Sequence, residues 1–407
     1  YNGYLNDAIN KNDAALNTHS DDFNSATGHG GGYRHVYFKT ATMLYNLQYV
    51  LGDELFLKAM KHYFNKWKYA HPYPEDFRQA IIECTHVDLN WFFDQWMETT
   101  KQIDYKICSF KRVNKKEKGS YQYQIKFKRK GDMQMPLDIE VFDVKNKNYS
   151  YVIPNTYFVK NDQKQALKTW KGWGLLNKTY VDTITLKNKI KRIEIDTTNR
   201  LADVYRLDNI KTRSQYKLPV NFKFDNGVAL QISFNYQNYS IRPDVWFNAV
   251  DGLKLGIYSH SDYVKQKHVL DVHFWYNSGI GAESGKYKYG KERDLFSYKL
   301  GYSNLVGKYA YVYWDTRYLD GIFYDNLGFK KTFGKNFIDI HYKSISLLKN
   351  KRVYWLDSLN SYREDKTNAS LMVDYRRDFR YMKGSGNFKA GLRGNGITKD
   401  YSYGSIY

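Results

Sequence analysis

The chain has 407 residues, 63 Lys and Arg against 42 Asp and Glu, and a net charge of +21. Hydrophobic residues make up 42% and charged residues 26%, which excludes a disordered or collagen-like chain, and the length exceeds one ordinary domain. No run of about 18 apolar residues occurs, so no transmembrane helix is encoded. Nothing near Tyr1 resembles a secretion signal, and the chain reads as a fragment with both ends cut.

The charge is uneven. Residues 1–104 carry 9 Lys/Arg against 13 Asp/Glu, residues 105–214 carry 25 against 11, and residues 215–407 carry 29 against 18. These breaks mark three expected domains. The lysines are dispersed and no recognition motif accompanies them, so no nucleic-acid partner is expected. Cys84 and Cys108 lack metal-ligand spacing and are expected as isolated thiols.

Residues 35–100 read as four helices. Leu44, Leu47 and Leu51, then Phe56, Met60, Tyr63, Phe64 and Trp67, recur at three- and four-residue steps, the period of a helix that buries one face. Gly52-Asp53 separates these two runs. Pro74-Glu75-Asp76 opens a third helix with proline where its missing N–H is harmless and acids where they meet the helix dipole. Asp88–Trp96 is the fourth, with Trp91, Phe92 and Trp96 inward.

From Ile103 the period becomes two. Tyr121, Tyr123, Ile125 and Phe127 alternate with Gln and Lys, and strands follow at 137–142, 150–153, 182–186 and 192–196. Six or seven strands in about a hundred residues predict a β-sandwich over 105–214. Lys115–Lys118 reads as a charged hairpin turn.

From about Lys217 the alternation is longer and stricter. Val228, Leu230, Ile232, Phe234 and Tyr236 form one face; Leu270, Val272, Phe274 and Tyr276 oppose Asp271 and His273; Ile338, Ile340 and Tyr342 oppose Asp339, His341 and Lys343. Phe296, Tyr298 and Leu300 oppose Ser297, Lys299 and Gly301, and Phe388, Ala390 and Leu392 oppose Lys389, Gly391 and Arg393. Repeated apolar-against-ionisable strands of about ten residues predict part of an antiparallel transmembrane β-barrel over 215–407, with outer-membrane lipid as a partner. Trp246, Trp275, Tyr311, Tyr313 and Trp314 are expected in its aromatic girdles. A second soluble sandwich or barrel is the competing reading, since its strands alternate too.

The order Tyr37-Phe38-Lys39, Leu51-Gly52-Asp53-Glu54-Leu55-Phe56, the aromatic run to Trp67, Pro74-Glu75-Asp76-Phe77 and Trp91-Phe92 resembles the gluzincin-class zinc aminopeptidases typified by aminopeptidase N. The resemblance covers about residues 19–105. Residues 192–209 resemble the segment trailing this domain in Bacteroidetes-type members, some of which continue into an outer-membrane barrel. The resemblance implies the helical second half of a thermolysin-like peptidase domain, peptide substrates and zinc in the intact protein. It also implies that Tyr37 is catalytic, donating a hydrogen bond to the oxyanion of the tetrahedral intermediate; Thr40 stands where the family often has glycine. A phenol suits that role because it stays protonated near pH 7. The other reading of Tyr37 is one more core aromatic. Lys39 pairs with a carboxylate or packs along its helix, and Gly28–His35 forms a flexible approach to Tyr37.

The ten histidines include no pair four apart, so the His-Glu-x-x-His zinc site is not encoded and no metal ligand is assigned. The alternatives are a peptidase whose ligands lie upstream, a non-catalytic outer-membrane scaffold with a degenerate peptidase fold, and a soluble periplasmic peptidase with two all-β appendages. Under the first, the peptidase domain is periplasmic or extracellular.

Overall fold

The computed structural model describes residues 1–10, 13–19, 35–114, 119–171, 176–213, 220–225, 233–264, 266–282, 294–307, 309–348, 366–381, 384–395 and 403–406. The expected Lys115–Lys118 turn, residues 28–34 of the glycine-rich approach and residues 226–232 lie outside these. Two compact units emerge, Tyr1–Leu218 and Pro219–Tyr407.

The first unit begins with helix α1 (Asn2–Asn10). A single π-helical turn, His35–Lys39, runs into α2 (Thr40–Leu51). Then come α3 (Asp53–Trp67), α4 (Pro74–Thr85) and α5 (Asn90–Met97). Gly52 separates α2 from α3 at φ 82°, a conformation that costs glycine least. Pro74 opens α4 as expected, and the Tyr73 backbone N–H donates to Asp76 at 2.8 Å. The predicted inward set of α3 is only partly right. Ala59 alone is fully buried there, while Phe56, Met60, Tyr63 and Trp67 are half-buried and Phe64 is exposed. The three- and four-residue spacing correctly gives a face, but α3 is a covering helix whose neighbours bury only part of it. By contrast α5 buries Trp91, Phe92, Phe93, Trp96 and Met97.

Two sheets follow. One has the order β1-β2-β6, from Tyr105–Asn114, Tyr121–Arg129 and Thr179–Leu186. The other has the order β5-β4-β3-β7-β8, from Gln165–Ala166, Asn148–Ile153, Leu137–Asp143, Ile190–Ile195 and Ile210–Thr212. β2 buries Tyr123, Ile125 and Phe127 and exposes Gln124, Lys126 and Lys128, the pattern of a strand with one wet face. β3 is buried along nearly its whole length, and its Asp138 N–H donates to the α2 Tyr49 hydroxyl at 2.7 Å.

Residues 196–209 tie helices to sheets through buried polar groups. Asp203 is fully buried and accepts from the backbone N–H groups of Tyr105 and Tyr205, both at 2.9 Å. Burial, with Asp104 nearby, raises its carboxyl pKa well above the ordinary value. Asn46 of α2 accepts from Ala202 N–H at 3.2 Å. Asp203→Ala is expected to destabilise this unit by about 1–3 kcal/mol for each donor left without a partner. Urea unfolding of the variant against the parent checks it.

The second unit is one sheet of eleven strands in the order β19-β18-β17-β16-β15-β14-β13-β12-β11-β10-β9. β10 to β18 are Gln237–Asn248, Gly252–Tyr263, Lys267–Asn277, Phe296–Gly307, Ala310–Leu319, Ile322–Phe333, Asn336–Leu347, Thr367–Tyr381 and Gly384–Asn395. β19 is Tyr403–Ile406 and β9 is Val220–Phe224. Every pairing is antiparallel except β9 with β10, which is parallel. This corrects the all-antiparallel expectation, because a parallel neighbour needs a crossover in place of a hairpin. β9 and β19 each pair on one side only, so the sheet is open among the described residues. Phe234 is also corrected: it precedes β10 and is buried edge-on against Tyr263.

The two faces of this sheet are inverted relative to a soluble protein. Phe247, Leu327 and Phe388 are 54–57% exposed, and Leu255, Ile257 and Ile340 lie on the same side with them. On the opposite side Lys254, Asn277 and Ser297 are fully buried. Lys254 donates to Asp251 and Asn277 at 2.8 Å and to Ser297 at 3.0 Å. Asn248, at the end of β10, donates to Asp320 in the β14–β15 turn at 2.8 Å. On a flat sheet four strand spacings of about 4.8 Å would hold them roughly 19 Å apart. The sheet therefore curls over its polar face.

That curl corrects the aromatic girdle. Trp246 and Trp275 sit on the polar side, edge to face at 5.6 Å, and Trp275 stacks on His273. Tyr311 lies opposite Lys330 on that side, and the Tyr313 hydroxyl donates to Asp339 at 2.9 Å across β15. Gly328 makes room, since a Cβ there would meet the Tyr313 ring at 2.4 Å. Of the five aromatics only Trp314 is on the apolar side, where its indole N–H donates to Asp325 at 2.7 Å. Strand period fixes which residues share a face, but position along a strand does not separate a girdle from an inner aromatic.

Candidate functional site

Tyr37 lies in the middle of the π-helical turn. Such turns widen the helix by one residue and re-aim side chains, and they recur at functional positions. Here the turn separates two sets. His35 and Lys39 are buried, while Val36, Tyr37 and Phe38 are exposed, Tyr37 by 57%. Tyr37 is therefore not a core aromatic. Its ring is presented outward from a turn whose other side is anchored.

Lys39 is the anchor. Its ammonium donates to Asp13 Oδ2 at 3.3 Å, to the Ala14 carbonyl at 2.5 Å and to the Thr99 carbonyl at 3.0 Å. Three acceptors match its three donors, which is what a buried ammonium needs. Burial still lowers its pKa, opposed by Asp13. The expectation that Lys39 pairs with a carboxylate holds. His35 Nε2 sits 3.0 Å from the Ala15 carbonyl, and burial holds its pKa below the ordinary imidazole value. Residues 13–15 thus grip both ends of the turn. At the start of α2, Thr42 Oγ1 donates back to the Phe38 carbonyl at 2.7 Å, satisfying an acceptor at the junction of the two helix types.

A separate cavity of about 640 Å³ lies between the α4–α5 connection and the segments 155–158 and 169–171, lined by His86, Trp91, Asn155, Tyr157 and Lys171 among others. Tyr37 does not line it. Cys84 and Cys108 are free thiols. No three His, Cys, Asp or Glu among the described residues are grouped to hold a metal ion, so the described residues do not fit a zinc centre.

Residues 16–96 match the model of the peptidase family M1 domain. Tyr37, its anchor Lys39 and helices α2 to α4 fall inside that segment. Aminopeptidase N of Lactococcus lactis subsp. lactis is 36% identical over 79 residues, which are 19% of this chain and 9% of that protein. The segment is thus aminopeptidase-like, and the chain spans less than a tenth of the curated relative. Among solved structures, Legionella pneumophila aminopeptidase A in complex with aspartic acid aligns over 41% of this chain and 17% of its own, at 16% identity and TM-score 0.28. Pseudomonas aeruginosa OccK8 (OprE) aligns over 75% of this chain and 69% of its own, at 9% identity and TM-score 0.25. Neither score is high enough to carry weight for the fold.

The sequence pointed to Tyr37 but not to the hold of Asp13 and Thr99 on Lys39 in the same turn. No local signal could reveal this, because the contacts join residues 26 and 60 apart in sequence.

Proposed function

We propose that this chain is the latter part of a zinc aminopeptidase that hydrolyses N-terminal residues from peptides and is anchored in a bacterial outer membrane by the barrel to which its large sheet belongs. The observation that carries the peptidase half is the M1 match across a segment whose Tyr37 side chain is 57% exposed on an anchored turn. Zinc, held by residues this chain does not supply, would activate the attacking water. The part this chain plays is electrostatic. The Tyr37 hydroxyl donates a hydrogen bond to the oxygen of the scissile carbonyl as negative charge grows on it. Such a donor is worth about 3 kcal/mol when it is pre-aimed. Lys39, with its three acceptors, holds the turn so that aiming costs nothing at the moment of reaction.

The membrane half is supported by the inverted sheet. Large apolar side chains exposed along successive strands, opposite a buried ionisable face, suit a hydrocarbon surround and a polar interior. In a soluble sandwich the apolar face would be the covered one. The peptidase domain would then lie in the periplasm or outside the cell.

Hydrolysis of an aminoacyl p-nitroanilide by the intact protein tests the peptidase reading. Activity should vanish with phenanthroline and return with added zinc. A pure, folded protein with no chelator-sensitive hydrolysis of a panel of such substrates would favour the scaffold instead.

A further inference from the structure

We infer that the polar face of the large sheet carries a binding site for a soluble multivalent oxyanion, formed by Lys299, Arg317, Lys343 and Arg393. The inference rests on the second unit alone and stands whether or not the first unit is a peptidase.

The register brings these four cations together. Lys299 of β13 is directly opposite Arg317 of β14, which is opposite Tyr324 of β15. The Arg317 guanidinium lies 4.2 Å from the centre of the Tyr324 ring, and the Lys343 ammonium lies 5.5 Å from the same centre. Two positive charges thus share one aromatic ring. Lys343 of β16 is opposite Ser370 of β17, and Arg393 of β18 donates from Nε to that serine's Oγ at 3.2 Å. Arg393 therefore leans across β17 toward Lys343. Its other contacts, the Tyr403 ring and hydroxyl, are neutral.

Among the described residues no carboxylate on the same face forms an ion pair with them. Asp339 is taken by Tyr313, Lys330 and His341, and Asp374 lies 3.8 Å from His341. His273, opposite Lys299, is bonded to Asp244 at 2.7 Å. Asp315, two residues from Arg317 and on the same face, lies opposite Gly301 and Asn326 and forms no ion pair. Among the described residues no carboxylate pairs with any of the four cations. Elsewhere on this face charges are compensated, as in Lys254 with Asp251 and His260 with Asp262 and Asp271.

Half-buried like charges in one patch repel, and the ring faces offset only part of that. A bound anion supplies the missing compensation. Two guanidinium forks match the paired oxygens of phosphate or carboxylate, and two ammonium groups add point charges, so the ligand is an oxyanion with several charges and not a halide. The Ser370 hydroxyl, already accepting from Arg393, keeps its own proton to donate.

Calorimetric titration of pyrophosphate into the intact protein, in a zwitterionic detergent at low salt, tests this. The expected result is saturable binding of one pyrophosphate per chain that weakens as salt rises. Arg317→Gln and Lys343→Gln should each weaken it about tenfold or more, and Lys126→Gln on β2 should leave it unchanged. Thermal melting guards against misfolding. Without anion, Lys343→Gln should melt no lower than the parent, because it removes a repulsion, and pyrophosphate should raise the melting temperature of the parent but not of the variant. Absence of saturable binding, or equal binding by both variants, would overturn the site. Binding to phosphatidylglycerol vesicles without binding to soluble pyrophosphate would assign the cations to lipid headgroups and overturn it as well.

Discussion

Tyr37→Phe in the intact protein is expected to lower turnover of a chromogenic aminoacyl substrate about a hundredfold while leaving KM nearly unchanged. The substitution removes one oxygen from a ring that is 57% exposed, so little packing is lost and stability should change little. A donor used only in the transition state lowers kcat and kcat/KM together; a group that merely binds substrate raises KM instead. Substitution of the neighbouring exposed Val36 by Ala is the control, expected to leave kcat within about twofold, as for a surface change away from the chemistry. Unchanged turnover in Tyr37→Phe would remove the phenol from the mechanism.

The largest stability effect is expected at the anchor. Lys39→Ala should destabilise the first unit by about 3–5 kcal/mol, the usual loss when one partner of a buried ion pair is removed. Both side chains are nearly inaccessible, at 2% for Lys39 and 3% for Asp13, so the carboxylate left behind has no water to turn to. The carbonyls of Ala14 and Thr99 lose a donor at the same time. All described α-helices lie in the first unit, so helical circular dichroism during urea unfolding reports on it. Pairing Lys39→Met with Asp13→Asn should restore much of the loss, because the stranded charge is gone. A loss below about 1 kcal/mol in Lys39→Ala, the range of exposed pairs, would mean that the pair is not buried in solution.

Period and punctuation made most of the fold legible. Gly52 and Pro74 marked helix boundaries that the structure keeps, because a positive φ and a missing N–H act locally. The alternation of Tyr123, Ile125 and Phe127 with lysine and glutamine gave β2 its buried face for the same reason. What the sequence hid depends on partners. Phe64 of α3 fits the apolar stripe yet is exposed, while Tyr63 beside it packs edge-on against Phe77 of α4. Trp246 and Trp275 look like interface aromatics but pack inward, a choice made by the curl of the sheet and not by either strand. The parallel pairing of β9 with β10 was hidden likewise, because strand period is blind to direction. The order of motifs pointed to Tyr37, whereas the grip of Asp13, Ala14 and Thr99 on Lys39 in the same turn needed the folded chain.

Site-directed labelling in lipid tests the membrane assignment most directly. Single cysteines replacing Phe274, Leu327, Ile340 and Phe388, on an otherwise cysteine-free intact protein reconstituted into vesicles, should react with a lipid-confined probe and resist a water-soluble maleimide. Cysteines replacing Asp271, Gly301 and Asp339, on the opposite face of the same sheet, should not react with the lipid probe. A lysine at Leu327 should also cost roughly 2–4 kcal/mol in lipid if that position lies near the bilayer midplane. Lipid-probe labelling confined to the first set is the result expected of a sheet whose apolar face meets hydrocarbon. If the first set reacts only with the maleimide, and carbonate releases the protein without detergent, the sheet is not in the membrane.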